Sequence, residues 1–140
     1  MADGASPSVR LFQDAEMRIL LTREVQRCSR YQDFLTLCLI RALYPGAPLS
    51  DVDTSVSRRI AEMLRATDIV GAIGPDIAVL LVHTPDSDGA MIAERIRDRI
   101  QSEGRVTLSI GLASFPTDAT SDAALLAHAQ AQRRAAHQTG

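Results

Sequence analysis

Arg65 and Asp68 stand three residues apart in the segment Arg65-Ala66-Thr67-Asp68, and Arg95 follows in the helical segment Ala93-Glu94-Arg95. A guanidinium binds phosphate as a planar fork, and a carboxylate accepts from N–H groups, so these residue types suit an anionic, hydrogen-bonding ligand. A structural role competes with that chemistry. Arg and Asp at i, i+3 also form an ordinary ion pair near a helix end. Such pairs arise by chance in a chain with 15 basic and 17 acidic residues. Arg95 by itself carries little information, because Arg97 and Arg99 share its polar helix face.

A second segment, Gly74-Pro75-Asp76-Ile77-Ala78, offers one carboxylate, and Asp is a preferred turn residue. His83, His128 and His137 are scattered without metal-ligand spacing or an acidic partner nearby, so they read as surface or helix-end residues. Ser109 and Ser114 lack the Gly-flanked elbow of a nucleophile. Arg133 and Arg134 read as a solvated C-terminal turn favoured by the helix dipole. No catalytic residue, metal site or cofactor is expected from these patterns.

The elements that position the candidates follow from hydrophobic spacing. Residues 1–10 read as a flexible lead-in, and 11–140 as a single domain, which is what 140 residues allow. Leu11, Ala15, Ile19, Val25 and Cys28 recur at helical spacing over Leu11–Arg30. Phe34–Ile40 is a nearly unbroken apolar run, suited to a central strand buried on both faces. Leu43–Ser50 holds two prolines and a glycine and reads as a loop. Ser50 is placed to cap a second helix, with Asp51 and Asp53 in its first turn and Val56, Ile60, Met63 and Leu64 inward. That helix is expected to end near Arg65. Two strands, Thr67–Ile73 and Ile77–His83, flank a three-residue Gly74-Pro75-Asp76 turn, which implies an antiparallel hairpin. A helix with Met91, Ile92, Ile96 and Ile100 on one face, a strand Val106–Ala113 and a helix capped by Ser121 complete the order. The class is α+β: a ferredoxin-like β-α-β-β-α-β sheet with its helices on one face.

Composition bounds the rest. Hydrophobic residues are 46% and aromatics 4%, so Leu, Ile, Val and Ala build the core. A net charge of −2 argues against a nucleic-acid partner held by a broad basic field. No apolar run is long enough for membrane insertion, and no leader pattern is visible, so a cytoplasmic location is expected. Cys28 and Cys38 read as reduced, buried or half-buried thiols.

Arg65, Asp68, Gly74 and Asp76 fall in one spaced run, Val106–Ala113 reads VTLSIGLA, and Ala129 precedes the closing His137-Gln138-Thr139-Gly140. In this order the chain from Leu11 onward resembles the GGDEF domains of the diguanylate cyclase family. Those domains read R-x-x-D-x-x-x-R-x-G-G-D-E-F, then V-T-x-S-I-G-x-A, then A-D-x-A-L-Y-x-A-K-x-x-G. The resemblance implies a GGDEF/nucleotide cyclase-like fold. It also implies a cyclase site in which carboxylates hold metal ions, and there this chain departs from the pattern. The family's metal-binding Asp ends the first strand, where Leu39-Ile40-Arg41-Ala42 has no acid. The family's Phe-Lys and Asn-Asp positions are replaced by the proline-containing loop. Its second glycine is Pro75, its Glu is Ile77, its Phe is Ala78, and its closing Lys is His137. Proline removes a donor and adds a ring where the nucleotide must approach. The resemblance therefore implies a degenerate domain that is not an enzyme.

In many members of the family the R-x-x-D motif forms an inhibitory site for the product, cyclic di-GMP. Carried over by position, Arg65 meets a phosphate or guanine, Asp68 accepts from the guanine edge, and Arg95 is the third contributor. Charge-assisted hydrogen bonds contribute roughly 1.5–3 kcal/mol each, which sums to about micromolar affinity once binding entropy is offset. The first reading is a non-catalytic cyclic di-GMP receptor that relays its signal to an unidentified protein partner. A homodimer is a further possibility, since an intercalated ligand pair can bridge two molecules. The second reading is a catalytically dead scaffold, dimerisation or protein-interaction module without nucleotide binding. A third is a GTP-binding domain using Gly74 and Asp76.

Overall fold

The computed structural model describes residues 10–46 and 54–139. The lead-in 1–9, the proposed cap Ser50 with Asp51 and Asp53, and the side chains from His137 onward lie outside the described residues.

The chain order is β1 (Leu11–Phe12), α1 (Asp14–Tyr31), β2 (Leu35–Leu43), α2 (Thr54–Glu62), β3 (Ile69–Ile73), β4 (Asp76–Val82), α3 (Asp86–Glu103), β5 (Thr107–Phe115) and α4 (Asp122–Thr139). One five-stranded sheet runs β1-β3-β4-β2-β5. All pairings are antiparallel except β1 with β3. This is the expected α+β arrangement, with two additions. Leu11 and Phe12 form a short strand rather than the start of a helix. The sheet is also covered on both faces.

The double cover follows from strand β2, whose first six residues are buried without alternation. Leu35, Leu37 and Leu39 pack with Met17, Leu21, Leu125 and Ala129, under α1 and α4. Cys38 and Ile40 pack with Val56, Ile60, Ile96 and Ile100, under α2 and α3. The two crossover helices thus share one face as expected, and the flanking helices close the other. Each fully buried Leu or Ile contributes about 1.5–3 kcal/mol.

Some inward positions differ from the sequence pattern. On α1 the buried stripe is Met17, Leu21, Val25 and Cys28, and Ile19 is exposed. On α3 the stripe is Gly89, Ala93, Ile96 and Ile100, which leaves Met91 in solvent. These sets run at steps of three and four, and the expected sets each included a residue off that stripe. Ser121 caps α4 as expected, its Oγ accepting from the Ala124 N–H at 3.1 Å. Both cysteines are free and buried, and burial pushes the Cys38 thiol up to about 12. No helix among the described residues is long and apolar enough to cross a membrane.

The β3–β4 hairpin sets the geometry of both candidate regions. Ile73 pairs with Asp76, so the connection is a two-residue Gly74-Pro75 turn and not the three-residue turn expected. Gly74 has φ +58°, the left-handed backbone that primed hairpin turns require at their first central position. At the other edge α4 lies close on β5. A Cβ on Gly111 would stand 2.1 Å from the Ala129 carbonyl oxygen and 2.4 Å from the Arg133 nitrogen.

Because both neighbours are backbone, Gly111→Ala should push α4 off the sheet. The expected cost is about 1–3 kcal/mol, read as a lower urea midpoint, whereas Gly104→Ala, which meets nothing within 4 Å, should leave the midpoint nearly unchanged.

Candidate functional site

After α2 the chain turns into β3 through a clasp closed by one carboxylate. The Asp68 N–H donates to the Arg65 carbonyl at 3.0 Å. Asp68 Oδ2 accepts from the Arg65 N–H at 3.1 Å and from Arg65 Nε at 3.2 Å. Its Oδ1 accepts from Arg65 Nη2 at 3.1 Å and from the Val82 N–H at 3.3 Å. A carboxylate offers about four lone-pair sites, and here four donors occupy them. The Asp68 side chain is only 1% exposed. It holds Arg65 in place, and no acceptor remains for a ligand's N–H groups. That differs from the expected role of reading a guanine edge.

Arg65 is oriented differently. Its Nη2 also donates to the Val82 carbonyl at 2.7 Å and to Thr84 Oγ1 at 2.9 Å, while 53% of its side chain stays in solvent. The guanidinium is pinned along one edge and open on the rest. A depression of about 210 Å³ lies beside it and brings Arg65, Asp68 and Arg95 into one lining, with His83, Thr84 and Asp88. Of the three arginines on α3, Arg97 pairs with Glu94 and Arg99 with Glu103. Arg95 is exposed and has no ion pair among the described residues. The depression therefore carries two cations, Arg65 and Arg95, on separate elements, beside the carboxylates of Asp68 and Asp88.

The opposite end of the hairpin is closed. Asp76 is 5% exposed and lies between two guanidinium groups, accepting from Arg41 Nε at 3.1 Å and Arg133 Nε at 2.9 Å. Arg133 is therefore not the solvated residue expected; its side chain is only 11% exposed, turned beneath α4 toward Asp76, and its carbonyl accepts from Ser109 Oγ at 2.8 Å. The Gly74 N–H donates to Asp14 Oδ1 at 2.7 Å, so the turn's free donor faces α1. A nucleotide phosphate approaching Gly74 and Asp76 would meet carboxylates whose partners are already in place. Among the described residues no three His, Cys, Asp or Glu side chains gather closely enough to hold a metal ion.

Two contacts have no local signal in the sequence. His83 does have an acidic partner: its Nδ1 is bonded to Asp33, fifty positions earlier. His128 lies 3.9 Å from Asp118. The first pair joins residues that β2 and β4 bring together across the sheet, and the second joins the loop before α4 to the helix itself.

No family model matches the chain, and no curated protein matches it. Solved structures do match. The chain is similar to the GGDEF domain of YfiN (TpbB) from Pseudomonas aeruginosa, with a TM-score of 0.77 and 23% identity, over 93% of this chain and 92% of that one. It is similar to the GGDEF domain of DgcB from Caulobacter crescentus in complex with c-di-GMP, with a TM-score of 0.75 and 17% identity, over 100% of this chain and 91% of that one. It is also similar to the diguanylate cyclase SiaD in complex with its activator SiaC from Pseudomonas aeruginosa, with a TM-score of 0.75 and 21% identity, over 99% of this chain and 60% of that one. The chain has the fold of a GGDEF domain.

Removing one partner from a buried ion cluster leaves uncompensated charge. Asp76→Ala should therefore cost about 3–5 kcal/mol in urea unfolding, while Asp88→Ala, on the exposed rim, should stay within about 0.5 kcal/mol. Asp14 gives a pH test. Its hydrogen bond with Arg18, and then the Gly74 N–H, hold its carboxyl below the usual range. The stability it confers is present above the ordinary carboxyl pKa and is lost as pH falls through the lower folded value. Asp14→Asn should flatten the acid limb of the stability curve below about pH 4, and an unchanged limb would discount the contact.

Proposed function

We propose that this domain is a cyclic di-GMP receptor without cyclase activity, which holds its ligand at Arg65 and Arg95 and passes the signal to a protein partner. One observation carries the reading: Arg65 and Arg95, from separate elements, line one depression, and Arg65 is fixed there by a buried carboxylate while staying half exposed. Asp68 belongs to the site as the residue that positions Arg65. Guanidiniums take phosphate oxygens as forks and stack on purine rings, so a ligand with two phosphodiesters and two guanines suits the pair in chemistry. The likeness to a GGDEF domain solved with c-di-GMP agrees with this class of ligand, and the likeness to a cyclase solved with an activator protein agrees with a protein partner.

Absence of cyclase activity is inferred from the turn. Pro75, Ile77 and Ala78 replace the residues of the resembled signature, Asp76 is enclosed by Arg41 and Arg133, and Asp14 occupies the Gly74 donor. The same contacts weigh against GTP binding at Gly74 and Asp76. The saturation of Asp68 favours one competing reading, in which the Arg65–Asp68 clasp only ties the α2–β3 connection to the end of β4.

Calorimetry separates these readings. Cyclic di-GMP should bind at micromolar concentration and GTP should not. Arg65→Ala and Arg95→Ala should each weaken cyclic di-GMP about 10- to 100-fold, the equivalent of one charge-assisted contact. A clasp without a ligand predicts no heat with cyclic di-GMP, together with a stability loss confined to Arg65→Ala. Formation of cyclic di-GMP from GTP by the purified chain would overturn the non-catalytic reading.

A further inference from the structure

His83 follows β4 with φ +53° and lines the same depression as Arg65, Thr84 and Arg95. Its Nδ1 is bonded to Asp33 Oδ2. Arg27 Nη1 donates to that same oxygen at 2.6 Å, and the Phe34 N–H donates to Oδ1 at 2.7 Å. Burial by itself would raise the Asp33 carboxyl, but Arg27, the Phe34 N–H and His83 outweigh it and hold it below the usual range. An ionised carboxylate only accepts hydrogen bonds. The hydrogen in this contact therefore sits on Nδ1, and Nε2 is the nitrogen with no partner among the described residues.

We propose that His83 is a third ligand-binding group of the Arg65–Arg95 depression, taking up a proton at Nε2 when a phosphate ester binds, with Asp33 as its positioning residue. The inference rests on the reading of this depression as a cyclic di-GMP site. In the neutral ring Nε2 is an acceptor and turns a lone pair toward any phosphate oxygen it meets. Protonated, it becomes a donor beside two guanidiniums. The proton comes from solvent and no other bond is made or broken.

Charged groups of both signs surround the ring. Arg27 and Glu24 of α1 face it through Asp33. Arg65 and Asp68 face it from the α2–β3 connection, and Asp88 and Arg95 from α3. Three cations thus stand near four carboxylates before any ligand arrives. An anionic ligand adds negative charge on the side of the ring away from Asp33 and favours the imidazolium.

The sign of the pH effect follows. The cationic ring binds the ligand more tightly, so affinity is highest at low pH and falls as pH rises. Calorimetry of the full chain with cyclic di-GMP should show binding on the order of fivefold weaker at pH 8 than at pH 6. At pH 7, two buffers of unlike ionisation enthalpy should report net proton uptake. His83→Asn suits the left-handed backbone; it should bind with flat pH dependence and no proton uptake. Asp33→Asn keeps an acceptor for Nδ1 but removes the charge, so it should move the pH dependence to lower pH, which simple loosening of the connection would not do. Wild-type binding that is equal at both pH values and independent of buffer overturns this inference and leaves the receptor reading intact. Absence of binding at either pH overturns both.

Discussion

Asp76 ties three elements together at one point, because it stands at the start of β4 and accepts from Arg41 of β2 and Arg133 of α4. An ionised carboxylate in that position is tolerable only with its counter-charges in contact. Two arginines around one acid bind the sheet to its covering helix at the turn end of the β3–β4 hairpin. The contact with the Gly74 N–H brings α1 to the same place through Asp14. The other end of the hairpin repeats the device with one change. There a buried Asp68 grips a single arginine, and that arginine stays half in solvent. The same pair of residue types thus closes one end of the hairpin and leaves a half-exposed guanidinium at the other.

This asymmetry governs what a ligand can find. At the turn, a phosphate would have to displace charged partners that are already desolvated and paired, and a proline stands where the backbone would otherwise come near. At the open end, the guanidinium of Arg65 is already oriented by Asp68, Val82 and Thr84. Less side-chain freedom is lost when a ligand arrives, which is the usual benefit of preorganisation. Arg95 stands on a different element, so together the two cations can grip an extended anion at two points.

Much of this was legible in the chain itself. The strands announced themselves because a doubly covered sheet needs unbroken apolar runs, as Leu35–Ile40 and Ile77–Val82 show. Arg65 and Asp68 were legible as a pair because they are three residues apart, and Arg95 because it stands at the matching place on the following helix. The division of labour between them was not legible, since the hydrogen bond from the Val82 N–H that completes the saturation of Asp68 comes from a strand fourteen residues away. Arg133 was misread for a related reason. Its neighbours in sequence suggest a solvated helix end, but the absence of a side chain at Gly111 lets α4 settle close enough for Arg133 to reach Asp76 under the helix. The two-residue strand Leu11–Phe12 has no pattern long enough to read. His83 and Asp33 meet only after the sheet has formed.

For the proposed receptor, where the ligand sits is as telling as how tightly it binds, and the open end of the hairpin is the proposed place. A titration of the uniformly 15N-labelled chain with cyclic di-GMP, followed through its backbone amide resonances, tests that directly. Shifts are expected to concentrate at residues 65–68, 83–84 and 92–95, with the amides of Gly74 and Asp76 unmoved. Shifts centred on 74–76, or a spectrum unchanged at millimolar ligand, would contradict it.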